Sequence, residues 1–331
     1  VAARRLQAHL GRGRPAQPSG DRDAPRRLGD EVRVELSVGA GTAVGAITLF
    51  PVFNHAPAAP DYMSGPRAEA EGLVEVVEQG GGATVPALVV RNRADVPVLV
   101  IGGTTVLGNR QDRTLDVTVL CPPGETVVPV SCVEEGRWSA PRPARWATAS
   151  APLGLRADMA RSVVASLRRG EKKADQYMVW DRVAYRLAAG RVASETGALA
   201  DAYRDVGAEL DDLAARLRPQ PDQAGLVVAI GGRVRGLEVF DRPATLEAHW
   251  EALLRGLALE ADVDADAAGG AAVPTTEEAA AFCARVERTP VTEAPPTGLG
   301  RELYLDGDGI CGQALVWEGA LVHLCAFATT G

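Results

Sequence analysis

The hydrophobic pattern of this chain changes character after Trp138. Before that point apolar residues alternate in short runs. Val32, Val34, Leu36 and Val38 share one face, and Ala46 to Phe50, 73–78, 84–91, Val98 to Ile101, Thr114 to Cys121 and Thr126 to Val133 read as further strands. Turn-forming residues separate them, among them Gln79-Gly80-Gly81-Gly82 and the tight 121–125 turn CPPGE. Short alternating runs punctuated this way predict an antiparallel sandwich or barrel-like β domain over 30–150.

After a Pro-, Ala- and Arg-rich connector (SAPRPARWATASAP), the period lengthens. Leu155, Met159, Val163 and Leu167 fall on one helix face, and a second helix over 174–189 groups Tyr177, Trp180, Ala184 and Leu187. A third is expected from about Glu195 to Leu217, where Leu199, Tyr203, Val206, Leu210, Leu213 and Leu217 step 4-3-4-3-4. That seam suits an amphipathic helix packed in its own domain, or a short coiled coil that would make a homodimer. Residues 151–221 thus form a central helical segment, ended by Pro219 and Pro221.

Residues 222–331 return to strands. Leu226 to Ile230 and Val234 to Phe240 flank Gly231-Gly232 as a hairpin. A helix carrying Leu246, Trp250, Leu253 and Leu257 follows, and Thr275 with Glu278 predicts a capping box ahead of another. Glu302 to Leu305, Cys311 to Trp317 and Ala320 to Phe327 form a closing meander. The fold class expected is α+β, with the N-terminal β domain, the helical segment and a C-terminal antiparallel sheet with packed helices.

Composition modifies this picture at the N-terminus. Residues 1–29 carry seven arginines and two aspartates, hence +5, with little apolar periodicity, and read as a disordered basic tail. The chain's net charge is −8, so the remainder carries −13. An acidic body argues against a nucleic-acid or anionic-membrane surface. No apolar run is long enough for a transmembrane helix, and the first residues lack a secretory h-region, so a cytoplasmic protein is expected. Lysine is confined to Lys172 and Lys173, a bias that lowers the weight of any single arginine. The five cysteines are scattered without a CxxC pair and read as core residues, with no metal or cofactor expected.

Two stretches carry candidate chemistry. Gly102 to Arg113 has the glycines and arginines of an anion-binding loop, but lacks GxxxxGK[ST] and GxGxxG and leads into a strand. It reads as a long hairpin connection, or as a ligand rim made by Asn109, Gln111 and Arg113. In Cys132 to Trp138, alternation puts Val128, Val130, Cys132 and Glu134 on one face, so Glu134 emerges at the end of a buried row. Glu134, Glu135 and Arg137 are then either an acid, a base and an anion clamp, or an ion pair with Trp138 stacked on an arginine. A carboxylate at such an edge is expected to have a raised pKa, and Glu134 or Asp112 would have to face a cavity. His323, within ALVHLCAF, reads as a satisfied core histidine, and no HExxH or GxSxG motif exists.

The run VLVIGGTTVLGNRQDRTLDVTVL, then VPVSCVEEGRW and DQYMVWDRV, resembles the bacterial and archaeal family named for its association with ADP-ribosylglycohydrolases and rhodanese/phosphatase-superfamily proteins. The matching positions include 108–113, Cys132-Val133-Glu134, Gly136-Arg137-Trp138 and Gln176 with Val179-Trp180. The likeness extends over roughly residues 70 to 330. It implies a neighbourhood of ADP-ribose or NAD-linked metabolism, and no catalytic residues come with it. Three functions are therefore expected to compete. The first is a ligand-binding or accessory protein with a nucleotide-like small-molecule partner held by Asn109, Gln111, Arg113, Arg137, Trp138 and Gln176. The second is a hydrolase or transferase on a nucleotide-sugar using Glu134 as general acid/base. The third is a non-catalytic dimeric scaffold through 199–217.

Overall fold

The structure, a computed structural model, describes residues 25–79, 86–138, 142–204, 207–264 and 272–329. Residues 1–24 of the tail expected over 1–29, residues 80–82 of the 79–82 turn and the loop at 265–271 lie outside the described residues. The fold is α+β, built on antiparallel sheets. The largest holds nine strands. Leu36–Val38, Ile47–Asn54, Gly225–Ile230, Arg233–Phe240, Ala320–Ala328, Ile310–Trp317, Arg301–Gly307 and Val291–Ala294 follow one another in that order, and Thr42–Val44 adds to Ile47–Asn54. Residues 36–54, expected with the N-terminal strands, are therefore laid against Gly225–Ile230, with Gly225 opposite Val52 and Ile230 opposite Ile47.

Both faces of the large sheet are covered. Phe50, Val52, Val227, Val239, Leu303 and Leu324 point to one side, where Thr276–Arg288 packs Phe282 and Val286. The short helix Leu28–Glu31 closes that side, with Leu28 fully buried, so residues 25–29 are docked where a tail was expected. Leu49, Val228, Leu315 and Phe327 point the other way, toward Leu153–Leu167 and Pro243–Asp264. Two-sided burial is why Gly225–Ile230 and Ala320–Ala328 read as near-continuous apolar runs. The hairpins close where positive φ is available, at Gly231 (58°) and Gly232 (76°), and the capping box of Thr275 and Glu278 forms as predicted.

A six-stranded sheet lies across the shared core, in the order Arg142–Ser150, Thr104–Asn109, Arg113–Leu115, Gly124–Cys132, Ala87–Asn92, Val74–Glu78. Two of its strands come from stretches that read as connections. Thr104–Asn109 runs through the expected loop, and Arg142–Ser150 runs through the Pro- and Ala-rich connector and pairs with it. The strand expected over 114–121 is split at Asp116, and Val119–Cys121 joins a small third sheet with Val98–Val100 and Met63–Ser64.

The helices differ from the sequence reading in two places. Gln176–Ala189 buries Val179, Val183, Arg186 and Leu187 and leaves Tyr177 76% exposed, because Arg186 is drawn inward by Glu260 and the Leu259 carbonyl. The continuous 195–217 helix does not form. Leu199–Ala202 and Gly207–Arg216 are separate helices, and Gly197 in the left-handed region precludes an earlier start. Leu199, Leu213 and Leu217 belong to the chain's own core. Among the described residues, no helix is long and apolar enough to cross a membrane.

The sheets are joined by a buried polar chain. Arg156 donates to Glu238 at 2.7 Å, Glu238 bonds His323 Nε2 at 2.8 Å, and His323 Nδ1 bonds Thr118 at 3.0 Å. His323 is thus the satisfied core histidine its apolar run predicts. His249 is buried beside it, stacked on Phe240, its Nδ1–H donating to the Thr245 carbonyl at 2.8 Å.

Burial pulls the His249 proton affinity down from 6.5 to about 4, outweighing the Thr245 bond. The unfolded chain therefore binds more protons between these values. The stability due to neutral His249 is complete above about 6.5 and is lost as pH falls through 4, amounting to about 3 kcal/mol. His249→Phe, which keeps the stacking, removes this contribution. The difference in unfolding free energy between wild type and variant, from urea melts at pH 7 and pH 4, changes by that amount. An unchanged difference would show His249 titrating alike in both states.

Candidate functional site

The six-stranded sheet ends in a knot of polar groups. Thr104–Asn109 leaves through Gly108 and Asn109, both at positive φ (103° and 50°). A Cβ on Gly108 would lie 2.3 Å from the Pro143 carbonyl oxygen, so only glycine lets the paired Arg142–Ser150 strand approach here. The chain then turns back into Arg113–Leu115, which pairs with the end of Gly124–Cys132. Beyond that end, Glu134 bridges Ala198, Gly136 N–H donates to Thr196 O at 2.7 Å, and Leu199 N–H donates to Val133 O at 2.8 Å. The 194–199 segment is thereby drawn against the strand end.

Arg137 occupies the centre. Its Nε donates to both Glu134 oxygens, at 2.7 and 2.8 Å, and one terminal nitrogen lies 2.6 Å from Glu134 Oε2. The same nitrogen reaches Asp112 Oδ1 and the Gly108 carbonyl, each at 3.1 Å, and the other reaches the Asn109 carbonyl at 3.0 Å. Glu134 also accepts from Thr196 Oγ1 at 2.8 Å and from Asp112 N–H at 3.0 Å. Asp112 Oδ1 accepts from Gly108 N–H at 2.8 Å. One guanidinium thus binds two carboxylates and two carbonyls, from the 108–112 turn and from Glu134.

The two carboxylates differ in proton affinity. Burial pushes Glu134 up, but the bonds from Arg137, Asp112 N–H and Thr196 outweigh it, and the group lies below the ordinary range. This corrects the raised value that its place at the end of an apolar row suggests. Asp112 is shifted upward, by burial first and by the Glu134 charge, against the Gly108 bond and Arg137. Asp112 is therefore the more readily protonated of the pair.

The other sequence candidates surround the knot in different ways. Gln111 donates to the Glu134 and Glu135 carbonyls, at 2.8 and 3.2 Å, and accepts from the Cys132 thiol. Burial pushes that thiol up to about 11, so it is held as a neutral donor. Gln176 brackets one residue, accepting from Cys132 N–H at 2.8 Å and donating to Cys132 O at 2.9 Å. Arg113 is fully buried and donates to the Gln111 carbonyl at 3.0 Å. The Arg110 and Arg113 guanidiniums lie 5.7 and 5.9 Å from the centre of the Trp138 ring, which is half exposed. Asn109 is buried, with its Nδ2 unpartnered.

A cleft of about 860 Å³ opens over this knot. Asp112, Glu134, Arg137 and Gly108 line it, whereas Asn109, Gln111, Arg113, Trp138 and Gln176 do not. The opposite wall comes from 193–204, including Thr196, Asp201 and Arg204, and the rim from Arg142 and Arg145. Arg204 is paired with Asp201 at 2.5 Å. Arg142 and Arg145 are exposed and make no ion pair among the described residues. Neither rim arginine was marked by sequence reasoning. Their only signal was membership of a strand that its Ala and Pro content concealed. Among the described residues, no three His, Cys, Asp or Glu side chains gather as a metal site.

Residues 35–327 match the ARG and Rhodanese-Phosphatase-superfamily-associated Protein domain, and the chain belongs to that family. Neither the comparison with curated proteins nor that with solved structures finds a match.

Removing one partner of a buried charge network leaves the others uncompensated. Arg137→Ala is expected to lower the unfolding free energy by roughly 3–5 kcal/mol, read from a shifted urea midpoint. Arg137→Lys loses part of this, because one ammonium cannot span Glu134, Asp112 and both carbonyls. A midpoint unchanged in Arg137→Ala would mean that the knot does not hold the strand ends.

Proposed function

We propose that the cleft over Arg137 binds an anionic, nucleotide-like small molecule of the ADP-ribose class, and that this cytoplasmic protein serves as a ligand-binding or accessory component beside ADP-ribose chemistry. The observation that carries this reading is the pairing of a rigid floor with uncommitted charge at the rim. Arg137 is fully engaged with Glu134, Asp112 and two carbonyls, so it shapes the floor. Arg142 and Arg145 have no carboxylate partner among the described residues, so their N–H donors are available to phosphate oxygens. The cleft's volume falls within the size range of small-molecule sites. The family's name, which joins it to ADP-ribosylglycohydrolases, favours the same ligand class.

Isothermal titration with ADP-ribose tests this. Binding is expected in the wild type, weakened roughly tenfold for each arginine removed in Arg142→Ala and Arg145→Ala. Absence of heat with the wild type, or equal affinity in the double variant, would sink the reading.

A hydrolase or transferase is the second reading, favoured by two carboxylates of opposite shift on one guanidinium. In it the proton-donating role assigned from sequence to Glu134 passes to Asp112, and Glu134 is the ionised partner. Turnover of a nucleotide-sugar would then vanish in Asp112→Asn while ADP-ribose still binds. Turnover that survives this substitution would remove Asp112 from the chemistry.

A further inference from the structure

A second large cleft, of about 650 Å³, lies where the large sheet ends. Its walls come from the start of Arg233–Phe240, the residues ending Ala320–Ala328, and the helices Leu153–Leu167, Gln176–Ala189 and Thr276–Arg288. Arg161, Arg182, Arg233, Arg235 and Arg285 all line it, against the carboxylates of Asp158 and Glu278. That is a formal excess of three positive charges among the described lining residues, of which Arg235 is also engaged by a further contact, in a chain whose net charge is −8. Like charges repel, so a lining of this kind is costly unless something compensates it.

Part of the compensation is internal and also sets geometry. Asp158 is buried and bonds both Arg161, on its own helix, and Arg182, on the next. A buried carboxylate holding two guanidiniums fixes them side by side, and each retains further N–H donors. Glu278 is committed to the helix cap, accepting from Thr275 N–H at 2.7 Å. Arg285 lies 5.4 Å over the Phe282 ring. Arg233 and Arg285 line the same cleft and form no ion pair among the described residues.

We infer that this cleft is an anion site, distinct from the one over Arg137, which takes a small molecule carrying two or more phosphates. One phosphate would satisfy the Asp158-held pair. Arg233 and Arg285, which are not held by Asp158, offer donors to a second charged group, and the guanidinium fork matches phosphate oxygens. Phe282, Val234, Ala157 and Ala281 supply an apolar wall that suits an organic moiety attached to the phosphates.

Inorganic pyrophosphate is the probe, titrated calorimetrically at low salt into the full chain carrying Arg142→Ala and Arg145→Ala. In that background the cleft over Arg137 has lost its rim arginines, so failure here leaves the proposed function untouched. Pyrophosphate is expected to bind, and adding Arg233→Glu with Arg285→Glu should weaken it at least ~10-fold. Both side chains are exposed, so these changes spare the core. Arg285→Gln alone, a milder change, is expected to weaken binding about threefold. No heat in the starting background, or an affinity indifferent to all three substitutions, would overturn the inference.

Discussion

One guanidinium organises the end of the six-stranded sheet. Arg137 has no solvent-facing task. It satisfies Glu134, Asp112 and the carbonyls of Gly108 and Asn109, groups that burial would otherwise leave uncompensated. The lysine alternative would supply a point charge with three donors, whereas the planar fork reaches several acceptors in fixed directions. The 108–112 and 134–137 stretches meet on it, and Thr196 of a third segment joins through Glu134. The cleft over it is a consequence, since the same contacts that draw 194–199 onto the strand end leave open space beside Arg142 and Arg145.

The same logic recurs deeper in the molecule. Where two sheets must be joined, the side chains used are ones that can bond in two directions. Gln313 accepts from Thr118 N–H at 2.7 Å and donates to Thr118 O at 3.0 Å, and Gln176 treats Cys132 in the same manner. Each glutamine stands in for a neighbouring strand at a residue whose peptide groups lack one. Arg156, Glu238 and His323 then carry the connection through the core. These devices allow a sheet edge to be buried against a helix or another sheet without orphaned backbone groups.

How far the sequence predicted this differs by element. The hairpin at Gly231-Gly232, the closing meander and the Thr275 capping box were legible, because turn and cap chemistry is local. The candidate site was legible as a cluster: the 108–113 connection and the 134–138 strand end do meet. What each residue does there was not legible. Gln111, Arg113 and Gln176 turn inward to backbone groups, a fate that depends on partners 21 or more positions away for Gln111 and 44 for Gln176. Arg142–Ser150 was hidden because its buried face is Trp146, Ala149 and Ser150, small or isolated residues that give no alternating signal. Leu199, Leu213 and Leu217 do reach the core, but Gly197 at positive φ delays the helix start and the chain leaves the helix at Tyr203 and Arg204, while Val206 lies outside the described residues. Gln176–Ala189 turned a different face inward because its buried Arg186 has a buried partner, Glu260, which no periodicity records.

Two carboxylates on one guanidinium are driven apart in proton affinity, Glu134 downward, against burial, by its bonds from Arg137, Asp112 N–H and Thr196, and Asp112 upward by burial and the Glu134 charge. Carbon-13 NMR titration of the Glu134 and Asp112 carboxyl groups reads both directly. The expected result is a Glu134 midpoint below the ordinary glutamate value of 4.5 and an Asp112 midpoint above the ordinary aspartate value of 3.8. Two midpoints at the ordinary values, or shifts in the opposite order, would contradict it.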